Sequence, residues 1–284
     1  MCADTLNRQV PSVGFQPLVR AKRIAKVRRS IGLIFAMLLF LAGCAQSIQL
    51  HSVDWGGESV DLPAWLSMPS GKGPFPAVVL MHGCGGLATA RNITEWAGWF
   101  NSRGYAALAI DSFTGRGISN VCSGGYAGGP AGSFSRVPDA RAALKYLTDN
   151  PMIDSKRVVL VGFSHGGLTV LMATLERPII PYAAVIAFYP YCSGTGTSNG
   201  FTVPTLILIG EKDDWTPADG CKVLAHDAKG PIELHVYPGA YHGFDHPGSV
   251  VIAYGHRMGG DLQTTWQART DVENFLAKLG LSAM

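Results

Sequence analysis

The chain has 284 residues, of which 23 are basic and 20 acidic, and a formal net charge of +3 at pH 7. Residues 1–43 hold seven of the basic residues and one of the acidic residues, so the remaining 241 residues carry a net charge of −3. The basic excess belongs to the N-terminal segment and gives no support for nucleic acid as a partner. A length of 241 residues without repeats or a low-complexity linker favours one large domain over two small ones.

The N-terminal segment has the pattern of an export signal. A basic run at 20–29 precedes an apolar stretch at 31–41 and two small residues before Cys44. The apolar stretch is shorter than the ~20 residues of a membrane-spanning helix. Its ending resembles a bacterial lipobox, with an ordinary signal peptide as the alternative. We therefore predict an N-terminal extension and lipoprotein-type signal peptide at 1–43. The mature chain would be exported to the cell envelope or periplasm, with a lipid on Cys44 as its only membrane contact.

Short apolar runs bounded by proline, glycine or charged residues predict strands that are buried on both faces of a parallel sheet. In chain order, these predicted strands are 77–81, 106–110, 158–161, 183–188, 205–209 and 232–237. The last of them alternates in polarity, which places it nearer the edge of the sheet.

Segments with helical patterns separate the strands. The predicted helices are 94–103, 137–148, 164–176, 217–229 and 264–279. The alternation of strands and helices predicts a single α/β domain at 44–284, with a doubly wound, mostly parallel sheet flanked by helices. In such sheets, active sites lie at the carboxyl ends of the strands.

Ser164 has the surroundings of a catalytic nucleophile. Residues 162–167 read Gly-Phe-Ser-His-Gly-Gly between a predicted strand and a predicted helix, which is the G-x-S-x-G pattern of a nucleophile elbow. Glycines on both sides permit a turn too tight for a Cβ. The hydroxyl then lies at a helix N-terminus, where unpaired N–H groups and the helix dipole favour negative charge.

A serine nucleophile needs a base, and in this kind of fold an acid and then a histidine follow the serine along the chain. Asp213 lies where the turn after the fifth predicted strand would aim its side chain at the base, and Asp214 is the alternative. Of the eight histidines, His242 and His246 both follow the last predicted strand, and a tight glycine-bounded loop favours His242. Asp213 would hold the imidazole tautomer without accepting its proton.

The segment 81–86, Met-His-Gly-Cys-Gly-Gly, follows the first predicted strand and is close to the HGGG oxyanion-loop motif. The backbone N–H groups of Cys84 and His165 are therefore the predicted oxyanion donors. A metal-binding interpretation of His242, Asp245 and His246 is weaker, because their spacing matches no standard ligand pattern.

Four cysteines follow Cys44 and could form two disulfides in three connectivities. We favour the pairs Cys84–Cys122 and Cys192–Cys221, with free thiols as the alternative.

Together these motifs resemble the dienelactone hydrolase family of α/β-hydrolases over about residues 55–280. The resemblance rests on the order and spacing of the motifs at 81–86, 111–113, 162–167, 210–213 and 241–244. It implies the α/β-hydrolase fold and a triad of Ser164, Asp213 and His242. The founding members use a cysteine nucleophile and carry a glutamate near the oxyanion loop. These two departures weaken any expectation of dienelactone as the substrate and suit a general serine esterase.

The sequence therefore predicts a serine hydrolase that cleaves a small carboxylic ester or lactone through an acyl-enzyme, with no metal and no cofactor. The alternatives are a peptidase or acyltransferase on the same fold, and a catalytically silent hydrolase fold that binds ligands at the cell envelope. Arg116 could grip a substrate carboxylate with its guanidinium or could be a surface arginine. The other substrate-binding candidates are His82, Phe163, Tyr191 and Trp215.

Overall fold

The computed structural model of this protein describes residues 45–54, 56–124, 132–176, 180–193, 195 and 200–283. The predicted signal peptide and the predicted lipidation site Cys44 lie outside these residues. No helix in the described part of the chain combines the length and the apolar character needed to cross a membrane.

An eight-stranded sheet forms the centre of the molecule. Its strands are β1 (Gln46–Val53), β2 (Ser59–Ser67), β3 (Phe75–Met81), β4 (Ala106–Ile110), β5 (Ile153–Phe163), β6 (Ala184–Phe188), β7 (Thr205–Gly210) and β8 (Ile232–Tyr237). They lie in the order β1-β2-β4-β3-β5-β6-β7-β8. Strands β3 to β8 are parallel to one another, whereas β2 is antiparallel to both of its neighbours. The predicted doubly wound, mostly parallel sheet is confirmed, with β8 at its edge.

Five helices accompany the sheet. They are α1 (Arg91–Asn101), α2 (Val137–Thr148), α3 (His165–Leu175), α4 (Ala218–Asp227) and α5 (Leu262–Lys278). Pro138 and Asp139 lie in the first turn of α2, where a missing N–H and a negative charge are both favourable. Helix α3 is buried on all sides from His165 to Thr174, as expected for a helix that carries the nucleophile into the middle of the sheet.

The apolar runs do not reveal β1, β2 or a small hairpin formed by β9 (Val251–Ala253) and β10 (His256–Met258). In β2, the buried residues Leu62, Ala64 and Leu66 alternate with residues that are partly or fully exposed. One face of such a strand meets water, so the strand lacks the continuous apolar run of β3, whose seven residues are all buried.

Both disulfides have the favoured pairing, Cys84–Cys122 and Cys192–Cys221. The first joins the loop after β3 to the loop after β4, and the second joins the loop after β6 to α4. All four cysteines therefore lie beyond the carboxyl ends of the strands, at the edge of the sheet where the active site is expected.

Candidate active site

Ser164 lies at a sharp turn between β5 and α3, with φ 55° and ψ −114°. Residues with a side chain rarely adopt this conformation, which costs about 1–3 kcal/mol. The flanking glycines make the turn possible. A Cβ on Gly162 would lie 2.2 Å from the carbonyl oxygen of Gly166, and a Cβ on Gly166 would lie 2.3 Å from that of Met81. The turn places the serine directly before the first residue of α3.

The structure brings together the side chains of Ser164, His242 and Asp213. Nε2 of His242 lies 2.9 Å from Oγ of Ser164, and Nδ1 of His242 lies 2.8 Å from Oδ2 of Asp213. The three residues are 6%, 3% and 4% exposed, respectively. A buried relay of hydroxyl, imidazole and carboxylate can transfer the serine proton to Nε2 while the carboxylate fixes the proton on Nδ1.

Asp213 is held by the residues that follow it. Its Oδ1 accepts the N–H groups of Trp215 and Thr216 at 3.0 and 2.8 Å, and the Thr216 hydroxyl lies 2.9 Å from its Oδ2. Asp214 instead accepts the N–H of Arg257 at 3.1 Å, in the β9–β10 hairpin. Thr216 is a site residue that the sequence analysis did not single out. An aspartate followed three residues later by threonine is a local pattern that could have indicated it.

The β9–β10 hairpin also fixes the loop of His242. His242 forms an isolated parallel bridge with Met258, and its carbonyl oxygen accepts the N–H of Gly259 at 3.0 Å. Trp215 packs against the imidazole ring with a centroid distance of 5.0 Å, and His256 of the hairpin stacks on Trp215 at the same distance. The hairpin therefore fixes the position of His242 through the backbone of its loop and through Trp215.

The loop after β3 lies against the nucleophile, since a Cβ on Gly83 would be 3.4 Å from Cβ of Ser164. The neighbouring Cys84 N–H donates to no backbone oxygen among the described residues. His82 holds this loop through both of its ring nitrogens. Its Nδ1 lies 2.7 Å from the carbonyl oxygen of Gly83, and its Nε2 accepts the N–H of Ser112. Burial, reinforced by the positive charge of a nearby arginine, lowers the pKa of His82 well below its ordinary value.

That arginine is Arg136, a fully buried residue just before α2. Its guanidinium donates to the carbonyl oxygen of His82 at 2.9 Å and to Nδ1 of His165 at 2.8 Å. It therefore ties the loop after β3 to the residue that follows the nucleophile. Burial lowers the pKa of Arg136 to about 10, which leaves it cationic at neutral pH. No local pattern could have indicated Arg136, because its partners come from two distant segments.

A cavity of about 280 Å³ opens beside Ser164 and His242. Of the predicted substrate-binding residues, Phe163 and Trp215 line it, whereas His82 and Tyr191 do not. The lining residues that sequence reasoning missed are Thr89, Ala90, Asn92, Asn120, Tyr189, Tyr254 and Met258. They come from α1 and the segment just before it, from the loops after β4 and β6, and from the β9–β10 hairpin, so their convergence depends on the tertiary fold.

The structure does not place Arg116, a candidate for gripping a substrate carboxylate, in the wall of the cavity. Its two terminal nitrogens donate to the two carboxylate oxygens of Asp139 at 3.0 and 2.8 Å, and its side chain is 3% exposed. The same nitrogens also donate to the carbonyl oxygens of Ser112 and Val53. The guanidinium is thus occupied by groups of its own chain and does not line the cavity. His82 fails as a substrate contact for a similar reason, since both of its ring nitrogens have backbone partners.

A second buried carboxylate, Asp245, lies behind the cavity wall. It accepts hydrogen bonds from the hydroxyl of Tyr189 at 2.6 Å, from Nε1 of Trp96 at 2.8 Å and from Nδ2 of Asn92 at 3.1 Å. Burial and the negative charge of Asp245 raise the pKa of Tyr189 well above its ordinary value. The described residues contain no group of three or more His, Cys, Asp or Glu side chains that could hold a metal ion.

The chain is similar in sequence to known hydrolases. The model of the dienelactone hydrolase family matches residues 62–277. A poly(3-hydroxyalkanoate) depolymerase C of Paucimonas lemoignei is 28% identical over 195 residues, which cover 64% of this chain and 46% of that protein. A probable 2-oxo-3-(5-oxofuran-2-ylidene)propanoate lactonase of Bradyrhizobium sp is 27% identical over 70% of this chain and 85% of that protein. The chain thus spans less than half of the depolymerase but most of the lactonase.

Among solved structures, a putative dienelactone hydrolase from Klebsiella pneumoniae superposes with a TM-score of 0.62. The superposition covers 82% of this chain and 99% of that one, at 19% sequence identity. At this level of identity the similarity establishes the α/β-hydrolase fold and no more.

Proposed function

The chain belongs to the dienelactone hydrolase family, and on that premise we propose that it is a serine hydrolase of small carboxylic esters or lactones. The observation that carries the proposal is the buried relay from Ser164 through His242 to Asp213, with distances of 2.9 and 2.8 Å. The serine at this position, where founding members have cysteine, makes the acyl-enzyme an ester.

In the first half-reaction, Oγ of Ser164 attacks the carbonyl carbon of the substrate while Nε2 of His242 takes its proton. The carbonyl oxygen becomes an oxyanion, for which the N–H groups of Cys84 and His165 are the donors we assign. The helix dipole of α3 favours the same negative charge. Collapse of the tetrahedral intermediate breaks the bond to the alcohol oxygen. The alcohol leaves with the proton from Nε2, and the acyl group stays on Ser164.

In the second half-reaction, Nε2 of His242 takes a proton from water, and the resulting hydroxide attacks the acyl carbon. The bond to Oγ breaks, Ser164 recovers its proton from His242, and the carboxylic acid leaves. A lactone gives a single hydroxy acid, because its alcohol and acid belong to one molecule. Asp213 stabilises the imidazolium in both half-reactions without taking its proton.

Substitution of the nucleophile tests this function. Ser164→Ala should lower kcat for p-nitrophenyl acetate by roughly 10⁴- to 10⁶-fold, as removal of a triad member does in other serine hydrolases. A fluorophosphonate should label wild type at Ser164, detected as a mass adduct on the peptide containing it. Ser155→Ala, at an exposed serine of β5, is the matched control and should keep wild-type turnover. Near-wild-type activity of Ser164→Ala would disprove the mechanism.

We further propose that the protein is exported and anchored to the cell envelope through a lipid on Cys44. The support comes from the N-terminal basic and apolar pattern. The two disulfides also support it, because such bonds persist in oxidising compartments and are rare in the cytosol.

A further inference from the structure

The polar groups of the active-site cavity are neutral. Thr89, Asn120 and Tyr254 contribute hydroxyl and amide groups to its wall, and among the described lining residues there is no lysine, arginine, aspartate or glutamate. Besides the base His242, the titratable lining residues are His246 and the two tyrosines 189 and 254. The cavity thus offers hydrogen bonds to a substrate but no fixed positive charge.

Arg116, the arginine that the sequence suggested as a carboxylate-binding residue, cannot supply a positive charge to the cavity. Arg116 gives its terminal nitrogens to Asp139, Ser112 and Val53, and Asp139 is fully buried. Releasing the guanidinium would leave the Asp139 carboxylate buried with the Ser52 hydroxyl as its remaining side-chain partner. Removing one partner of a buried ion pair strongly destabilises the folded protein, so Arg116 has a structural role and is not free to bind a substrate.

Behind the part of the wall formed by Asn92 and Tyr189, the fixed charge is negative. Asn92 and Tyr189 line the cavity, and both donate a hydrogen bond to the buried carboxylate of Asp245. All three side-chain donors to this carboxylate, including Trp96, are neutral. A carboxylate on the substrate would therefore lose water on entering, gain no cationic partner and meet a like charge across one layer of side chains.

From these observations we infer that the site accepts uncharged esters or lactones and discriminates against substrates that carry a carboxylate. This inference rests on the proposed hydrolase function and adds a charge requirement to it. The cavity is open to water at Thr89, Asn120 and Tyr254, which are exposed. Water at the mouth will moderate the discrimination, and we expect about 30-fold or more in kcat/KM.

Two pairs of probe esters test the inference, each pair differing by one methyl group that masks a carboxylate. In the first pair, phenyl hydrogen adipate and phenyl methyl adipate, the charge is on the acyl side. In the second, 4-acetoxybenzoate and methyl 4-acetoxybenzoate, it is on the leaving-group side. Each kcat/KM is divided by the rate constant for hydroxide-catalysed hydrolysis of the same ester, and the assay is run at pH 8, above the range in which histidine ordinarily titrates.

The neutral ester should be preferred about 30-fold or more in at least one pair, the one whose charged end lies inside the cavity. Ratios within threefold in both pairs would overturn the charge requirement and leave the hydrolase function intact. Absence of hydrolysis of all four esters would overturn the proposed function, because the neutral members fall within it.

A pair of variants at the cavity mouth tests the physical cause. Thr89→Arg introduces a cation where the wild type has an exposed hydroxyl, and Thr89→Gln introduces an uncharged side chain of comparable reach. The arginine variant should lower the ratio of kcat/KM for the neutral ester to kcat/KM for the charged ester by about tenfold at low salt. The glutamine variant should leave this ratio unchanged. Equal effects of the two substitutions would show that the preference has a steric cause and would overturn the electrostatic inference.

Discussion

His82 has one tautomer that satisfies both of its ring nitrogens. The carbonyl oxygen of Gly83 requires a proton on Nδ1, and the N–H of Ser112 requires a bare Nε2. Protonation of Nε2 would turn an acceptor into a second donor facing that N–H. Burial and the Arg136 cation oppose protonation as well, and together they hold the pKa of His82 far below its ordinary value. The loop that bears Cys84 is therefore built on a histidine that must stay neutral.

Because His82 must stay neutral, the free energy of unfolding depends on pH below the ordinary pKa of histidine. As pH falls below 6.5, the ordinary value for histidine, the unfolded chain binds a proton that the folded protein refuses. The free energy of unfolding should therefore decrease by about 1.4 kcal/mol per pH unit from this residue alone, until the lower pKa of the folded state is reached. His82→Asn removes that contribution. Urea unfolding of both proteins at pH 7.5, 6.0 and 5.0 measures it.

Because carboxylates also titrate towards acid, the informative quantity is the difference between wild type and variant. That difference should shrink as pH falls from 7.5 to 5.0, since the wild type loses stability faster. Parallel stability curves for the two proteins would show that His82 binds a proton as readily in the folded protein as in the unfolded chain, and would contradict its assigned tautomer.

The positions of Ser164, Asp213 and His242 could be predicted because each follows a predicted strand in the chain order of this fold. The residues that hold these three side chains could be predicted only in part. Thr216 belongs to a local turn, but Arg136 acts on backbone and side-chain atoms 54 and 29 residues away. The ion pair of Arg116 could not be predicted either, because its partner Asp139 lies on a helix that sequence alone does not place beside it.

At the scale of elements, two loops meet at the oxyanion side of the cavity. The disulfide Cys84–Cys122 joins the loop after β3 to the loop after β4, and the N–H of Val121 donates to the carbonyl oxygen of Cys84 at 2.9 Å. The Cys84 N–H that we assign to the oxyanion therefore belongs to a residue held on both sides. The other disulfide, Cys192–Cys221, fastens α4 and lines no part of the cavity.

These two bonds form a matched pair for experiment. Their sequence separations are 38 and 29 residues, so chain entropy assigns each a similar stabilisation of roughly 3.5–4 kcal/mol. Replacing either pair of cysteines with serine should lower Tm by a comparable amount. Only the Cys84→Ser/Cys122→Ser variant should also lose kcat, by about tenfold with little change in KM, because the oxyanion donor is no longer held.

The control is Cys192→Ser/Cys221→Ser, which should keep kcat within about twofold of wild type. Calorimetry for Tm and steady-state hydrolysis of p-nitrophenyl acetate separate the two effects. An equal loss of kcat in both double variants would assign the change to general destabilisation and would count against a tethered oxyanion loop.

The strands of the sheet that could be predicted show either a continuous apolar run or a regular alternation. Strands β3, β4, β6 and β7 and the second half of β5 form apolar runs because they are buried on both faces. Strand β8, at the edge of the sheet, was predicted from its alternation instead. The hairpin of β9 and β10 has only three residues in each strand, and Val251 and Ile252 are exposed. Its structure depends on the pairing of β9 with β10 and on contacts with Trp215 and Asp214. A local sequence pattern shows neither of these. Yet this hairpin completes the cavity and holds the loop of the base.

At the scale of the whole molecule, the proposed anchor precedes the strand at one end of the sheet, and the active site lies towards the other end. Ser164, Asp213 and His242 follow β5, β7 and β8, whereas β1 is the outermost strand on the opposite side. Strand β1 runs in the same direction as β4, because each is antiparallel to β2. Its first residue, Gln46, pairs with Leu66, which pairs in turn with Leu108 in the middle of β4. The chain therefore enters the sheet level with the middle of β4, several strands away from Asp213 and His242.

A lipid on Cys44 would thus hold the domain through the outermost strand β1, with one residue between the anchor and that strand. Cys44→Ala should move the protein from the membrane fraction to the soluble fraction of a diderm bacterium that expresses the full chain, and [³H]palmitate labelling should disappear. Its kcat/KM for p-nitrophenyl acetate should stay within about twofold of wild type, since this water-soluble ester reaches the cavity from the aqueous side in both forms.

Cys2→Ala is the matched control and should remain labelled and membrane-bound. Retention of Cys44→Ala in membranes would exclude the lipid anchor, and a large change in kcat/KM on release would show that the anchor affects the active site.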